Sequence, residues 1–189
     1  MKKLVFVTIL LMSISPIFAQ VYQQASAPLV KIEGTSTFHD WHMDSEEGHS
    51  IAVFNFNGAT LTSVPSLTFT VRAETLKSGT KGLNKNAYKA LNTEKYPDIT
   101  YTSKVVTVHS NGANSYVLNT KGALTIAGVT KEVSIPVTCT VNPADMTIRA
   151  AGSYKFKMSE FNVTPPSFMF GAMKTGDAIT ITFNVSLKK

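Results

Sequence analysis

Apolar and polar residues alternate along most of this chain with a period of two, the pattern of strands with one dry face and one wet face. In SLTFTVRAETL, Leu67, Phe69, Val71 and Ala73 face one way, and Thr68, Thr70, Arg72 and Glu74 face the other. EVSIPVTCTV places Val133, Ile135, Val137, Cys139 and Val141 on a single face. TIRAAGSYKFKM sets Ile148, Ala150, Tyr154, Phe156 and Met158 against Arg149, Ser153, Lys155 and Lys157. The last run, AITITFNVSLKK, sets Ile179, Ile181, Phe183, Val185 and Leu187 against Thr180, Thr182, Asn184 and Ser186. Strands that are dry on one side pair antiparallel around a core, so the expected fold class is all-β.

Turn chemistry separates the runs. Asn111 and Gly112 in HSNGANS, Gly128 in IAGVTK and Pro143 in NPAD each mark a connection between strands. One helix interrupts the pattern: in SGTKGLNKNAYKALNTEKYPD, Leu83, Ala87, Ala90 and Leu91 share a helical face and Pro97 stops any extension. SEFNVTPPSFMFGAMKTGD lacks a strand period, and Pro165 with Pro166 forbids a central strand, which predicts a loop or short helical turn rich in aromatics. The runs number about eight, near the size at which a closed sheet encloses one small ligand. An open two-sheet sandwich fits the same pattern.

Residues 1–19 combine Lys2 and Lys3, an apolar run from Leu4 to Met12 and a small residue at Ala19. They predict a secretory signal peptide cleaved after Ala19, an exported protein in the periplasm or outside the cell, and one domain over 20–189. The apolar run falls well short of the roughly 20 residues a membrane-spanning helix needs. No cysteine in the leader offers a site for a lipid anchor. The lysines behind the net charge of +6 are scattered among acids, without the basic cluster and stacking platform of a nucleic-acid binder. Cys139 is the only cysteine, so no intramolecular disulfide forms, and its place on an apolar strand face predicts a small buried hydrophobe.

GTSTFHDWHM is the one dense group of functional side chains. If 35–43 runs as one strand, His39, Trp41 and Met43 share a face with Thr35 and Thr37, and Asp40 and His42 share the other. His39 and His42 then point apart, against a shared metal or a His–Asp catalytic pair. A weaker alternative is a binding module whose outer surface, or the turn from Asp44 to His49 in DSEEGHS, meets a partner protein or a metal, the turn bringing His42, His49 and a carboxylate together. His109 has no activating neighbour in sequence, and no nucleophile elbow, phosphate loop or zinc-protease motif occurs. The expectation is therefore no catalytic residue, no metal and no cofactor. His39 and Trp41, with polar tips on apolar bodies, suit a barrel wall or mouth, and a core-filling role for Trp41 fits equally well.

Four segments in order, GTSTFHDWHM, LNKNAYKALNTEKYPDITY, GALTIAGVTKEVSIPV and GSYKFKMSEFNVTPPSFMFGAMKTGDAITITF, resemble the YceI-like family of exported proteins over nearly the whole mature chain. The resemblance implies a lipocalin-like antiparallel β-barrel with a helix and an aromatic loop near one end. It also implies a non-enzymatic carrier of a long amphiphile, a polyisoprenoid, isoprenoid quinone or fatty-acid derivative, and the capacity to form a homodimer. By the same resemblance Leu83, Ala87, Tyr88 and Leu91, with Phe161, Phe168, Met169 and Phe170, are wall or lid residues. Inward strand faces add Phe69, Val71, Leu124, Tyr154, Phe156, Ile181 and Phe183 to the lumen. For any one of them, packing the helix onto the barrel is the competing role.

Overall fold

A computed structural model describes residues 18–168 and 173–189. The alternation becomes strands β1 (Phe18–Gln24), β2 (Leu29–Ser36), β3 (Trp41–Ser45), β4 (His49–Asn57), β5 (Thr60–Arg72), β6 (Asp98–Ser110), β7 (Ser115–Ile126), β8 (Val129–Val141), β9 (Ile148–Lys157), β10 (Ser167–Phe168) and β11 (Met173–Lys188), with one α-helix, α1 (Lys81–Leu91). Every pairing among the named strands is antiparallel. The order β1-β4-β5-β6-β7-β8-β9-β11 closes on itself where Gln23 and Gln24 of β1 pair with Lys188 and Leu187 of β11. The sheet is therefore a barrel, not an open sandwich.

Two of its staves are bent. β1 and β2 are successive pieces of one path along β11, broken at 25–28, and β3 and β4 continue one another across 46–48. The breaks lie side by side: Gln24 Nε2 donates to the Gly48 carbonyl at 2.8 Å, and a Cβ on Gly48 would lie 3.1 Å from Cγ of Pro28. Proline cannot donate to a ladder, so the break falls where Pro28 sits. Beyond the bend β3 leaves β5 and keeps only a two-way backbone bridge, Asp44 with Lys77, at 2.8 Å each way. The gap between them is filled by a 3-10 turn at Ala73–Thr75 and by α1.

The 35–43 segment is not one strand. β2 ends at Ser36, whose hydroxyl and amide both bond the His39 carbonyl, at 2.7 and 3.0 Å, and the chain reverses over 37–40. A serine side chain competing for backbone partners ended the ladder that alternation alone would have continued. The proline-containing loop is also shorter than expected. Met158–Phe161 forms the short helical turn, but β11 already begins at Met173, because Thr175 pairs with Ser36 across the sheet and supplies the partner that its sequence period did not advertise. The other turns stand where expected, and the β7–β8 hairpin uses Ala127 and Gly128 at φ 49° and 78°, the paired left-handed conformation of a two-residue reversal.

Candidate functional site

Inward side chains form a ladder down the barrel, and their packing divides it into three levels. At the end away from α1 they fill the interior. Tyr22, Phe56, Leu61, Val64, Tyr116, Cys139, Val141 and Ile148 are all buried, and the Tyr22 ring meets Phe54 edge-on at 5.2 Å. The Tyr116 hydroxyl accepts the Leu61 N–H at 3.1 Å, so the plug leaves that donor satisfied.

Above the plug lies an inner chamber of about 120 Å³, walled by Phe69 and Val71 of β5, Leu124 of β7, Ala150 and Tyr154 of β9 and Phe183 of β11, among others. Phe69 and Phe183 stack across it at 6.5 Å. Gly152 makes room for this arrangement, since a Cβ there would lie 2.6 Å from Cζ of Phe183. An outer chamber of about 90 Å³ lies beneath α1. Trp41 and Met43 line one side, Phe156, Phe161 and Val163 the other, and Leu83, Ala87, Ala90 and Leu91 of α1 form its roof. Ile32, Ile99 and Ile181 line both chambers and form the neck between them.

The Tyr101 and Thr120 hydroxyls beside the inner chamber are already engaged. Thr120 donates its single hydroxyl proton to the Ile135 carbonyl at 2.8 Å, so Tyr101 donates to Thr120 Oγ1 at 2.7 Å. Burial pushes the Tyr101 and Tyr154 phenols above their ordinary range, so both stay neutral at physiological pH. Trp41 lies across Gly34, its paired residue, and its indole N–H donates to the Thr35 carbonyl at 3.0 Å. What remains facing the space is hydrocarbon, a surface for an apolar chain.

The expected wall residues divide between the chambers. Trp41, Leu83, Ala87, Leu91, Phe156 and Phe161 line the outer one; Phe69, Val71, Leu124, Tyr154 and Phe183 line the inner one; Ile181 lines both. Two are elsewhere. His39 sits exposed on the 37–40 reversal, because the strand it was assigned to ends before it. Tyr88 lines neither chamber, and its hydroxyl donates to the Leu76 carbonyl at 2.7 Å, fixing α1 to the segment before it. Met169 and Phe170 lie outside the described residues, as does the side chain of Phe168. Ile32, Met43, Ile99 and Ile126 were missed, although LVKIEGTS and LTIAG show the same two-residue period that found the rest.

Around the 44–49 turn, His42 Nε2 lies 3.6 Å from Asp44 Oδ2, with both side chains well exposed. Among the described residues no three His, Cys, Asp or Glu side chains converge on a point that would hold a metal. Cys139 is buried in the plug, lines neither chamber, and has its thiol pushed up to about 12 by desolvation.

Sequence comparison matches residues 23–187 of this barrel to the YceI-like domain. The chain belongs to the YceI-like family. No curated protein matches it by sequence. Among solved structures, the YceI-like fold recurs in BcnA of Burkholderia cenocepacia, at 23% identity and a TM-score of 0.67, covering 84% of this chain and 95% of that one. It recurs in a polyisoprenoid binding domain from Saccharophagus degradans implicated in plant cell wall breakdown, at 10% identity and 0.66, covering 88% and 97%. A third is the YceI protein of Campylobacter jejuni, at 20% identity and 0.53, covering 76% and 85%. At these identities the shared property is the fold.

Proposed function

We propose that this YceI-like protein is an exported, non-enzymatic carrier or reservoir that holds the tail of a long amphiphilic lipid, a polyisoprenoid or isoprenoid quinone, in its two chambers. The observation that carries the reading is the pair of apolar chambers in line along the barrel and joined at the Ile32, Ile99 and Ile181 neck. Each approaches the scale of the roughly 150 Å³ dry cavity that admits a benzene ring. A prenyl chain, built of slim five-carbon units, suits such a string of small spaces better than a fused-ring ligand does. Each buried methylene adds about 0.8 kcal/mol, so a chain of several units binds tightly without a special polar contact. The Saccharophagus degradans domain, of similar fold, is a polyisoprenoid binder, which favours this class of cargo.

Export rests on the leader. Cleavage after Ala19 removes Phe18 and Ala19 from β1 and leaves Gln20–Gln23 paired with β4, so the barrel keeps its closure. The non-enzymatic part rests on the chambers, whose walls, among the described residues, offer no nucleophile beside a base.

The test is native mass spectrometry of protein purified without detergent, together with mass analysis of its organic extract. A bound species on a prenyl mass ladder is expected. Ala150→Phe, which fills the inner chamber, should then lower occupancy or shift it to shorter chains. An empty protein that also refuses added quinones and polyprenyl lipids overturns the proposal.

A further inference from the structure

α1 gathers lysines that look scattered along the sequence. Lys81, Lys85 and Lys89 recur at four-residue steps and are exposed, while the opposite face of the helix roofs the outer chamber. The helix contains no acidic residue, and no ion pair reaches these three lysines among the described residues. Phe38, 67% exposed, stands at the tip of the β2–β3 hairpin, where the Thr37 N–H donates to the Lys174 carbonyl at 3.0 Å. An exposed aromatic ring and a further cation thus occupy the same end of the barrel.

This charge pattern works against the helix that carries it. Like charges four residues apart repel, Lys81 in the first turn opposes the helix dipole, and Thr80 provides no side-chain cap. The helix is held from outside instead: Asn84 Oδ1 accepts from the Ser78 amide and hydroxyl at 2.9 and 2.7 Å, and Tyr88 binds the Leu76 carbonyl. Of the acids at this end, Glu74 bonds Thr93, Glu160 the Lys157 amide and Asp177 Ser159, while Asp40 beside Phe38 and Glu94 after the helix are exposed; none lies on α1. At the other end the connections 58–59, 111–114 and 142–147 contain one charged residue, Asp145.

We propose that the α1 end of the barrel docks on an anionic phospholipid surface, with Lys81, Lys85 and Lys89 as its electrostatic footprint and Phe38 as an apolar anchor. The roof of the outer chamber then faces the bilayer from which a tail is drawn. The docking surface stands on the charge arrangement, and its purpose rests on the carrier reading above. Attraction of clustered lysines to anionic lipid accumulates with each lysine and is screened by salt. The single exposed ring adds a smaller apolar share.

Flotation of the intact mature protein with vesicles of phosphatidylcholine alone, or with phosphatidylglycerol added, tests this. The comparison set is wild type, Lys81→Glu/Lys85→Glu/Lys89→Glu, and a control with the same charge change at other exposed positions, Lys104→Glu/Lys188→Glu/Lys189→Glu. Circular dichroism verifies the fold of each, and native mass spectrometry reads its cargo. Wild type should float only with anionic vesicles and release at high salt; the α1 variant should bind about tenfold or more weakly, and the control within about twofold of wild type. Phe38→Ser should weaken binding less than the charge reversal does. Equal binding by wild type and the α1 variant, equal loss in the control, or equal flotation on neutral vesicles overturns the docking surface. Cargo-loaded wild type that ignores anionic vesicles overturns docking and leaves the carrier reading. An empty wild type that floats as described supports docking and removes the carrier reading.

Discussion

The two ends of this barrel share the same strands and the same inward alternation, yet one is solid and the other hollow. At the solid end the inward positions hold Tyr22, Phe56 and Tyr116; β1 with β4 and β7 with β8 keep an unbroken register there, while β4 shifts register against β5 between Val53 and Phe56. At the hollow end the inward positions hold Ile99, Ile126 and Ile179, and a helix with no fully buried residue replaces sheet as the cover. The difference shows how a small domain keeps an apolar cavity. Stability is concentrated where large side chains interlock across the interior, and the space is kept where the wall aromatics pack against one another instead, Phe156 against Tyr154 and Phe161.

The strongest way to break this comparison is to truncate one side chain at each end. Phe56→Ala should lower unfolding free energy in urea by about 3–5 kcal/mol, because a packed plug cannot collapse around the hole. Leu83→Ala, from a half-buried side chain that already borders empty space, should cost about 1 kcal/mol or less. Similar losses would mean that the two ends are not energetically distinct. Tyr116→Phe removes only a hydroxyl but leaves the Leu61 N–H without its partner, for an expected loss of about 1–3 kcal/mol. Lipid uptake should not change, and a change would show that plug and chambers are coupled.

A smaller effect belongs to acid conditions at the hollow end. Asp177 is held below the ordinary aspartate range by the Ser159 hydroxyl and amide, at 2.6 and 2.9 Å. A carboxylate lowered in the folded state adds stability above its unfolded value and loses it as pH falls through the folded one. Trp41 fluorescence should therefore report loosening of the Met158–Phe161 turn below about pH 4, with the plug still folded, and Asp177→Asn should abolish that acid transition. The smallest expected signal is none: with its thiol pushed up to about 12, Cys139 should resist alkylation at pH 8 until the protein unfolds. Fast labelling of native protein would show that the plug opens.

Much of the fold was legible because a two-residue period fixes which face of each strand is dry. Val133, Ile135, Val137, Cys139 and Val141, five inward positions in a row, are all buried. The helix was legible for the same kind of reason, as Leu83, Ala87, Ala90 and Leu91 could share a dry face only at helical spacing. The resemblance placed Tyr88 on the lid, but its neighbour in space, the Leu76 carbonyl, took its hydroxyl proton and turned it into a staple. His39 lies off the strand because a single hydroxyl, that of Ser36, ended the strand early.

By itself the sequence determined that this chain pairs its strands antiparallel around a core, because a hydrophobic face repeated along nearly every run has nowhere else to go. The fold decided which inward residues fill the core and which border a cavity. Alternation specifies a face but not a depth along the barrel axis, so nothing local separates Ile148 in the plug from Ile181 at the neck. The hollow is a shortage of volume summed over residues from many strands, and it exists only once Pro28 and Gly48 have met, β3 has parted from β5, and α1 has closed the gap.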